Sequence, residues 1–203
     1  LVLHDAWGPV LLCAVGNGVM GGLFAKLLIA GVPGLTPSSW RGWLNAHPVM
    51  VAFFCGLIVA ALGWATAGAT FGTGYEQASG LINGTPHSTI WFGLAKFVAT
   101  VVSYFAGIPG GIFTPSLAIG AGIGDTVSHF LSGATEPRVL ALVSMAAFLA
   151  AATQAPITAS VIVMEMTRTQ DLTIYLLAAS LLASFLSRQF NPHPFYHHMG
   201  HAF

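Results

Sequence analysis

The stretch GIPGGIFTPSLAIGAGIG, residues 107–124, joins a glycine-rich break to a long apolar run. Six of its eighteen residues are glycine, and two prolines flank its central part. Pro109 lacks a backbone N–H and disfavours helix at the residue before it, so it ends the preceding apolar segment. The pair Gly110–Gly111 can adopt backbone angles closed to other residues, and Pro115 is tolerated in the first turn of a helix. The stretch therefore predicts a helix that restarts near Phe113.

A helix that starts inside an apolar region exposes the N–H groups of its first turn. These groups have no partner within the helix, and the helix dipole places roughly half a positive charge at the same end. An anion is the natural ligand of such an end. Because no full charge is present, the site can bind an anion and still release it, as conduction requires. The alternative is a plain transmembrane turn whose donors bond to neighbouring carbonyl groups.

The whole chain is too apolar for a water-soluble protein. Of its 203 residues, 55% are hydrophobic and only 6% are Asp, Glu, Lys or Arg, whereas a soluble domain carries about a quarter charged residues. Six basic and six acidic residues give a formal net charge of zero, so nothing indicates a nucleic-acid partner. We therefore expect a multi-pass integral membrane protein of the cell inner or plasma membrane, with the lipid bilayer as a partner.

Five apolar segments approach the roughly twenty residues that a helix needs to cross about 30 Å of hydrocarbon. These segments are residues 9–29, 49–67, 89–105, 113–131 and 172–190. Loops with turn-forming residues separate them, for example residues 31–39 and 83–86. The pattern predicts an all-α integral membrane fold.

A sixth apolar region is divided in two by the sequence TQAP, residues 153–156. At about 1.5 Å per residue, the pieces 139–152 and 157–166 reach only ~21 and ~15 Å, so neither crosses a membrane alone. Short segments interrupted by proline or glycine are typical of half-helices whose ends meet at an ion site near the midplane. The alternative is one long helix kinked at Pro156.

Small residues indicate where helices approach one another closely. Gly18 and Gly22 form one GxxxG pair, and Gly120 and Gly124 form another. Such pairs are typical of tight helix packing in membranes. They predict packing and not function.

Lys96 and Glu165 are the ionisable residues inside or close to the apolar segments. An intramembrane charge costs about 2.5–3.5 kcal/mol on insertion scales, so each needs a partner or an interface. For Glu165, which precedes Arg168 and Asp171, we favour a local ion pair or an interfacial position over a proton relay. Two roles are open for Lys96: it raises the potential along an anion path, or it pairs or extends to the interface as a structural group.

The sequence contains no catalytic or metal-binding pattern. Paired aspartates and a G-x-S-x-G nucleophile motif are both absent from it. His197 and His201 are four residues apart, but no carboxylate or cysteine accompanies them. We therefore expect no enzyme, no metal and no cofactor, and an intramembrane enzyme stays the alternative from a different class.

Several motifs resemble those of the CLC family of voltage-gated chloride channels and chloride/proton antiporters. The sequence GGIFTP at 110–115 is similar to the family's GxFxP signature. Residues 148–158 resemble its late broken-helix region, and VMEMT at 163–167 resembles its LEMT element. The sequence NPHPFY at 191–196 resembles its terminal KPLY segment. The resemblance extends over essentially the whole chain.

The resemblance implies a bound chloride ion as the transported substrate. The backbone amides of Ile112 and Phe113 would hold this ion, and the hydroxyl of Tyr196 would donate to it, since a phenol is a strong neutral donor. For Tyr196 the alternative is an aromatic anchor at the membrane interface. The residues that would shape the loop without touching the ion are Gly110, Gly111 and Pro115.

The family is built from two inverted repeats, and this chain resembles only part of that plan. Residues 1–191 resemble the second repeat, and residues 192–203 resemble the final segment with the pore tyrosine. The GxEGP and GSGxP loops of the first repeat do not occur here. We therefore expect a piece of a longer protein whose N-terminal repeat is missing. Channel, antiporter, and transport of another anion such as fluoride all stay open.

The resemblance also implies a homodimer in which each protomer has its own pore. The two segments expected at its interface are residues 155–166 and 172–190. The expected fold is thus the second repeat of a CLC fold, with half-helices that meet at a midplane ion site.

Overall fold

The computed structural model describes residues 6–84, 90–107, 110–131 and 135–191, and every regular element in these ranges is helical. The nine α-helices of the described ranges are α1 (Trp7–Leu35), α2 (Ser38–Ala46), α3 (Pro48–Ala65), α4 (Tyr75–Asn83), α5 (Phe92–Phe105), α6 (Phe113–Phe130), α7 (Pro137–Thr153), α8 (Pro156–Thr167) and α9 (Thr173–Phe190). A 3₁₀ turn, Gln170–Leu172, precedes α9. The predicted all-α fold is confirmed.

Three helical stretches in the described ranges are long and apolar enough to cross a membrane. They are Trp7–Val32, Pro48–Ala65 and Gln170–Phe190. Shorter apolar helices, α5, α7 and α8, accompany them. By length and composition the three long stretches fit the bilayer that the sequence predicts, whereas the predicted segments 89–105 and 113–131 are not among them.

Helix α7 forms the centre of the bundle. Every residue from Val139 to Ala152 is buried, and α1, α6, α8 and α9 pack around it. A helix that is apolar on all sides requires such a fully enclosed position. Helix α6, which carries the predicted anion site, is one of the direct neighbours of α7.

Glycines allow α6 to approach both α7 and α5 with backbone contacts. A Cβ at Gly120 would lie 2.5 Å from the carbonyl oxygen of Ser144 in α7. A Cβ at Gly122 would lie 2.6 Å from the Cα of Gly93 in α5. Both spacings exclude any residue larger than glycine, so the two contacts fix the position of α6 in the bundle. A Cβ at Gly124 would lie 2.8 Å from the Cα of Ala141 in α7, so the predicted close packing at the 120/124 pair is confirmed.

The second predicted pair packs α1 against α9. A Cβ at Gly18 would lie 3.0 Å from the Cα of Ala183, and one at Gly22 would lie 3.1 Å from the Cα of Ser187. Small residues therefore bring α1 and α9 together along their length.

The chain breaks fully between α7 and α8. Gln154 has φ +56° and ψ +31°, in the left-handed region, and Pro156 begins the next helix. Helices of 17 and 12 residues reach about 26 and 18 Å. The structure thus has two separate helices here, in agreement with the half-helix interpretation and not with one kinked helix.

The predicted loop at residues 31–39 is wrong except at Thr36 and Pro37, since α2 already begins at Ser38. Helix α1 continues to Leu35 through a bend at Gly31, whose φ of +59° is open to glycine. A single flexible residue absorbs the bend, so no full loop is needed. Helix α4 occupies a region that the sequence left unassigned, because its nine residues are few and only moderately apolar.

Candidate anion site

Helix α6 starts at Phe113, the position that the sequence predicts. Ile112 occupies the N-cap with φ −92° and ψ −10°, and the amide of Ser116 donates to its carbonyl oxygen over 3.0 Å. Gly110 and Gly111 are exposed just before it. Ile108 and Pro109 lie outside the described residues, so the preceding turn is known only from Gly110 onward.

The first amides of α6 are available to a ligand. Among the described residues, no acceptor bonds to the amides of Ile112, Phe113 or Thr114. Pro115 has no amide hydrogen, which leaves these three N–H groups as the donors of the helix end. The Ser116 hydroxyl donates back to the Ile112 carbonyl over 2.6 Å. The helix end therefore presents donors, and the partial positive charge of the dipole adds to them.

Apolar side chains hold this helix end in place. Ile112 is 5% exposed and packs in a cluster with Phe97 and Phe148. Phe113 is half-buried against a second cluster that contains Leu117. Because the two side chains are occupied by packing, the backbone is the part of Ile112 and Phe113 left for an ion.

A cavity of about 430 Å³ lies beside the helix end, between α3, α5 and the loop that leads to α6. Among the residues that line it are Cys55, Thr70, Gly72, Lys96, Gly110, Gly111, Ile112 and Pro115. All three predicted loop-shaping residues thus border one cavity, together with Ile112. Phe113 is not among the residues that line it.

Lys96 is a basic residue that lines this cavity. It is only 3% exposed, and its Nζ donates to the carbonyl oxygens of Thr70 at 2.8 Å and Gly72 at 2.6 Å. Its burial excludes an extended position at the membrane interface. No acidic side chain lies within 4.0 Å of it among the described residues, where the recorded ion pair joins His129 to Asp125 at 3.7 Å. The structural alternative of a carboxylate partner is therefore not met in the described part of the chain.

Sequence reasoning missed the turn between α3 and α4, which supplies the acceptors for Lys96. Gly68, Gly72 and Gly74 all have positive φ, as does Ala67. The glycine spacing in GATFGTG, residues 68–74, was the available signal, since glycine is the residue that adopts such angles readily. Nothing in the sequence linked this turn to Lys96 on α5, which lies 26 residues after Thr70 and 24 after Gly72.

Glu165 is exposed near the end of α8, and no ion pair to Arg168 or Asp171 occurs in the described residues. The local ion pair predicted for Glu165 is thus not found among the described residues. The exposure of its side chain fits the alternative, a position at the membrane interface. Tyr196, His197 and His201 lie outside the described residues.

Comparison with known proteins gives consistent matches. The family model described as "Voltage gated chloride channel" matches residues 2–188. The "Voltage-gated ClC-type chloride channel ClcB" of Escherichia coli O9:H4 (strain HS) is 35% identical over 184 residues, which cover 86% of this chain and 43% of that protein. The same protein of Escherichia coli (strain K12 / DH10B) gives the same identity and coverage.

The fold also matches a solved structure, the X-ray crystal structure of a slow cyanobacterial Cl−/H+ antiporter. The TM-score is 0.69 at 24% identity, and the match covers 90% of this chain and 47% of the antiporter chain. The chain therefore spans a little under half the length of the proteins it matches. The apolar helices and the family match identify an integral membrane protein. Because the family model extends over nearly all of its residues, the chain belongs to the voltage-gated chloride channel family.

Proposed function

We propose that the full-length protein transports chloride across a membrane and that this chain supplies one wall of the ion site. The observation that carries the proposal is the helix end at Ile112 and Phe113, whose amides have no acceptor among the described residues. Chloride accepts hydrogen bonds from such donors and balances the dipole. Because the donors are neutral, binding stays weak enough for release, which transport requires.

Tyr196 completes this site in our proposal through its hydroxyl group. The family resemblance assigns it that role, and the backbone five residues earlier is well anchored. The side-chain amide of Asn191 donates to the carbonyl of Gly22 over 2.8 Å, and Gln154 donates to the carbonyl of Asn191 over 2.7 Å. These bonds support a fixed position for Asn191, the residue that precedes the segment with Tyr196.

Residues 1–191 would form the second repeat, and residues 192–203 the final segment. A missing N-terminal repeat is supported by α3, where large apolar side chains such as Val49 and Trp64 are more than three-quarters exposed. Part of this face would contact the first repeat and part would contact lipid. We place the protein in the inner or plasma membrane of the cell, where helical spans satisfy every backbone hydrogen bond internally.

A homodimer is the proposed assembly, with α8 and α9 at the interface. Ile157 on α8 and Ile174, Leu181 and Phe185 on α9 are each more than half exposed. A second protomer would cover these side chains.

We propose chloride transport by either of two modes, as a channel or as a proton-coupled antiporter. One relative is named a channel and the solved neighbour an antiporter, and the helix-end site serves either mode. We propose no cofactor and no enzymatic activity. Transport of another anion such as fluoride is the alternative substrate.

Purified full-length protein in liposomes tests the function. With a potassium ionophore present, chloride-loaded vesicles should release chloride, and simultaneous pH recording separates the antiporter from the channel. Vesicles that release fluoride but retain chloride would support the alternative substrate. A folded protein that releases neither anion would refute the proposal.

A further inference from the structure

The buried charge of Lys96 lacks a counter-charge in the described part of the chain. Its side chain is 3% exposed, and the groups that contact its Nζ are the neutral carbonyls of Thr70 and Gly72. No Asp or Glu side chain of the described ranges lies within 4.0 Å. Buried charges in proteins are usually paired or neutralised, because an isolated charge is poorly solvated there. A protonated Lys96 therefore requires a nearby anion.

Holding the turn between α3 and α4 does not by itself require a charged residue. Donation to two carbonyls is not unique to a charged residue, since Asn and Gln each have two N–H donors. Lysine has three donors, and two of them are used by Thr70 and Gly72. One N–H of Lys96 is thus left over among the described contacts.

The space beside Lys96 can hold an anion. The cavity of about 430 Å³ is bordered by Lys96 on α5 and by Gly110, Gly111 and Ile112 on the loop. A single water-sized occupant needs only roughly 15 Å³ of such space. Lys96 and Ile112, the N-cap of α6, therefore border one cavity.

We propose that Lys96 forms a second anion subsite in this cavity, beside the amide site of Ile112 and Phe113. Its occupant is a small monovalent anion of the transported kind, and this anion is the counter-ion of the lysine. The inference rests on the proposed chloride transport and adds a residue to it. Lys96 also holds the turn through its hydrogen bonds to Thr70 and Gly72. Its hydrogen bonds therefore affect the turn, whereas its charge affects anion binding.

Three variants of the full-length protein separate the charge from the hydrogen bonds. Lys96→Gln keeps donors but removes the charge, Lys96→Arg keeps both, and Lys26→Gln removes a charge from an exposed position of α1 as the control. Chloride binding is measured by calorimetry at constant ionic strength. Lys96→Gln should raise the Kd at least about tenfold, because a unit charge attracts an ion strongly outside bulk water. Lys96→Arg should stay within about threefold of wild type, and Lys26→Gln should be unchanged.

Wild-type chloride affinity in folded Lys96→Gln would overturn the subsite while leaving the proposed transport intact. A wild-type protein that binds no chloride would instead refute the proposed function itself. The two failures are therefore distinguishable by the wild-type measurement alone.

A measurement on the unmodified protein covers the case in which Lys96→Gln does not fold. Crystals of the full-length protein grown in bromide should give an anomalous difference peak within hydrogen-bonding distance of the Lys96 Nζ. A peak at the amides of Ile112 and Phe113 without one at Lys96 overturns the subsite. A carboxylate from the rest of the protein within 4 Å of Nζ also overturns it, because the lysine would then have a permanent counter-ion.

Discussion

The first residues of α6 contribute backbone groups to the proposed chloride site and side chains to the core. Ile112 and Phe113 pack in two different apolar clusters, which keeps the helix end in position. The amides of Ile112, Phe113 and Thr114, which have no acceptor among the described residues, are then fixed donors that need no rearrangement to receive an ion. At this scale the helix end offers an ion hydrogen bonds and a dipole, and Lys96 is the residue that we propose adds a full charge.

The hydroxyl of Tyr196 gives a prediction at the same scale. Tyr196→Phe in the full-length protein should weaken chloride binding about tenfold, since a hydrogen bond to a charged group contributes roughly 1.5–3 kcal/mol. Calorimetric titration with chloride measures the change, and Tyr75→Phe serves as control because Tyr75 is an exposed tyrosine at the start of α4. Identical affinities for wild type and Tyr196→Phe would remove this hydroxyl from the site.

Helix packing fixes the position of the proposed site, and Gly120 makes one of the two close contacts that hold α6 in the bundle. Gly120→Ala puts a methyl group 2.5 Å from the Ser144 carbonyl oxygen, so α6 must shift away from α7. We expect a loss of about 1–3 kcal/mol in stability, together with weaker chloride binding. Thermal unfolding and chloride titration measure both effects.

The matched control for Gly120→Ala is Gly16→Ala on α1, where a Cβ would have no atom within 4 Å. This variant should be neutral or slightly stabilising, because alanine favours helix over glycine by about 1 kcal/mol. Equal stability of the two variants would show that the contact between α6 and α7 can relax without cost.

Asn191 joins three elements at the end of α9. Its side chain donates to Gly22 on α1, and its carbonyl accepts from Gln154 at the break between α7 and α8. Asn191→Ala should destabilise the protein by about 1–3 kcal/mol, because the buried carbonyl of Gly22 loses its donor. Chloride binding should weaken as well, since Tyr196 follows five residues later.

Thermal unfolding and chloride titration test Asn191→Ala against Asn83→Ala, whose side chain bonds to Ser79 at an exposed position. A drop in stability with unchanged chloride affinity would separate the anchor from the ion site.

Composition and local backbone chemistry were sufficient to predict several elements. The helix start at Phe113 follows from Pro109, Gly110 and Gly111, and the break at residue 154 follows from the TQAP sequence. Both depend on local preferences that a few residues decide. The position of Lys96 was not predictable, because its acceptors lie on a turn 24 and 26 residues away. Such contacts arise from tertiary packing, which sequence periodicity does not encode.

At the scale of the whole molecule, the chain is one part of a larger ion pathway in our proposal. It covers 43% of the length of the relatives that it matches, and the broad apolar surface of α3 is left without a partner in the described residues. The site at Ile112, the cavity at Lys96 and the anchor at Asn191 would each border the rest of the protein. Transport must therefore be measured on the full-length protein.

Chloride titration of full-length protein with the Phe113 amide replaced by an ester tests the central claim most directly. The ester removes one N–H and leaves the phenylalanine side chain in place, and Phe113→Leu, which alters the side chain and keeps the N–H, is the matched control. The account predicts that the ester raises the chloride Kd about tenfold or more while Phe113→Leu stays within about threefold. Equal chloride affinity for the ester and the wild-type amide would contradict it.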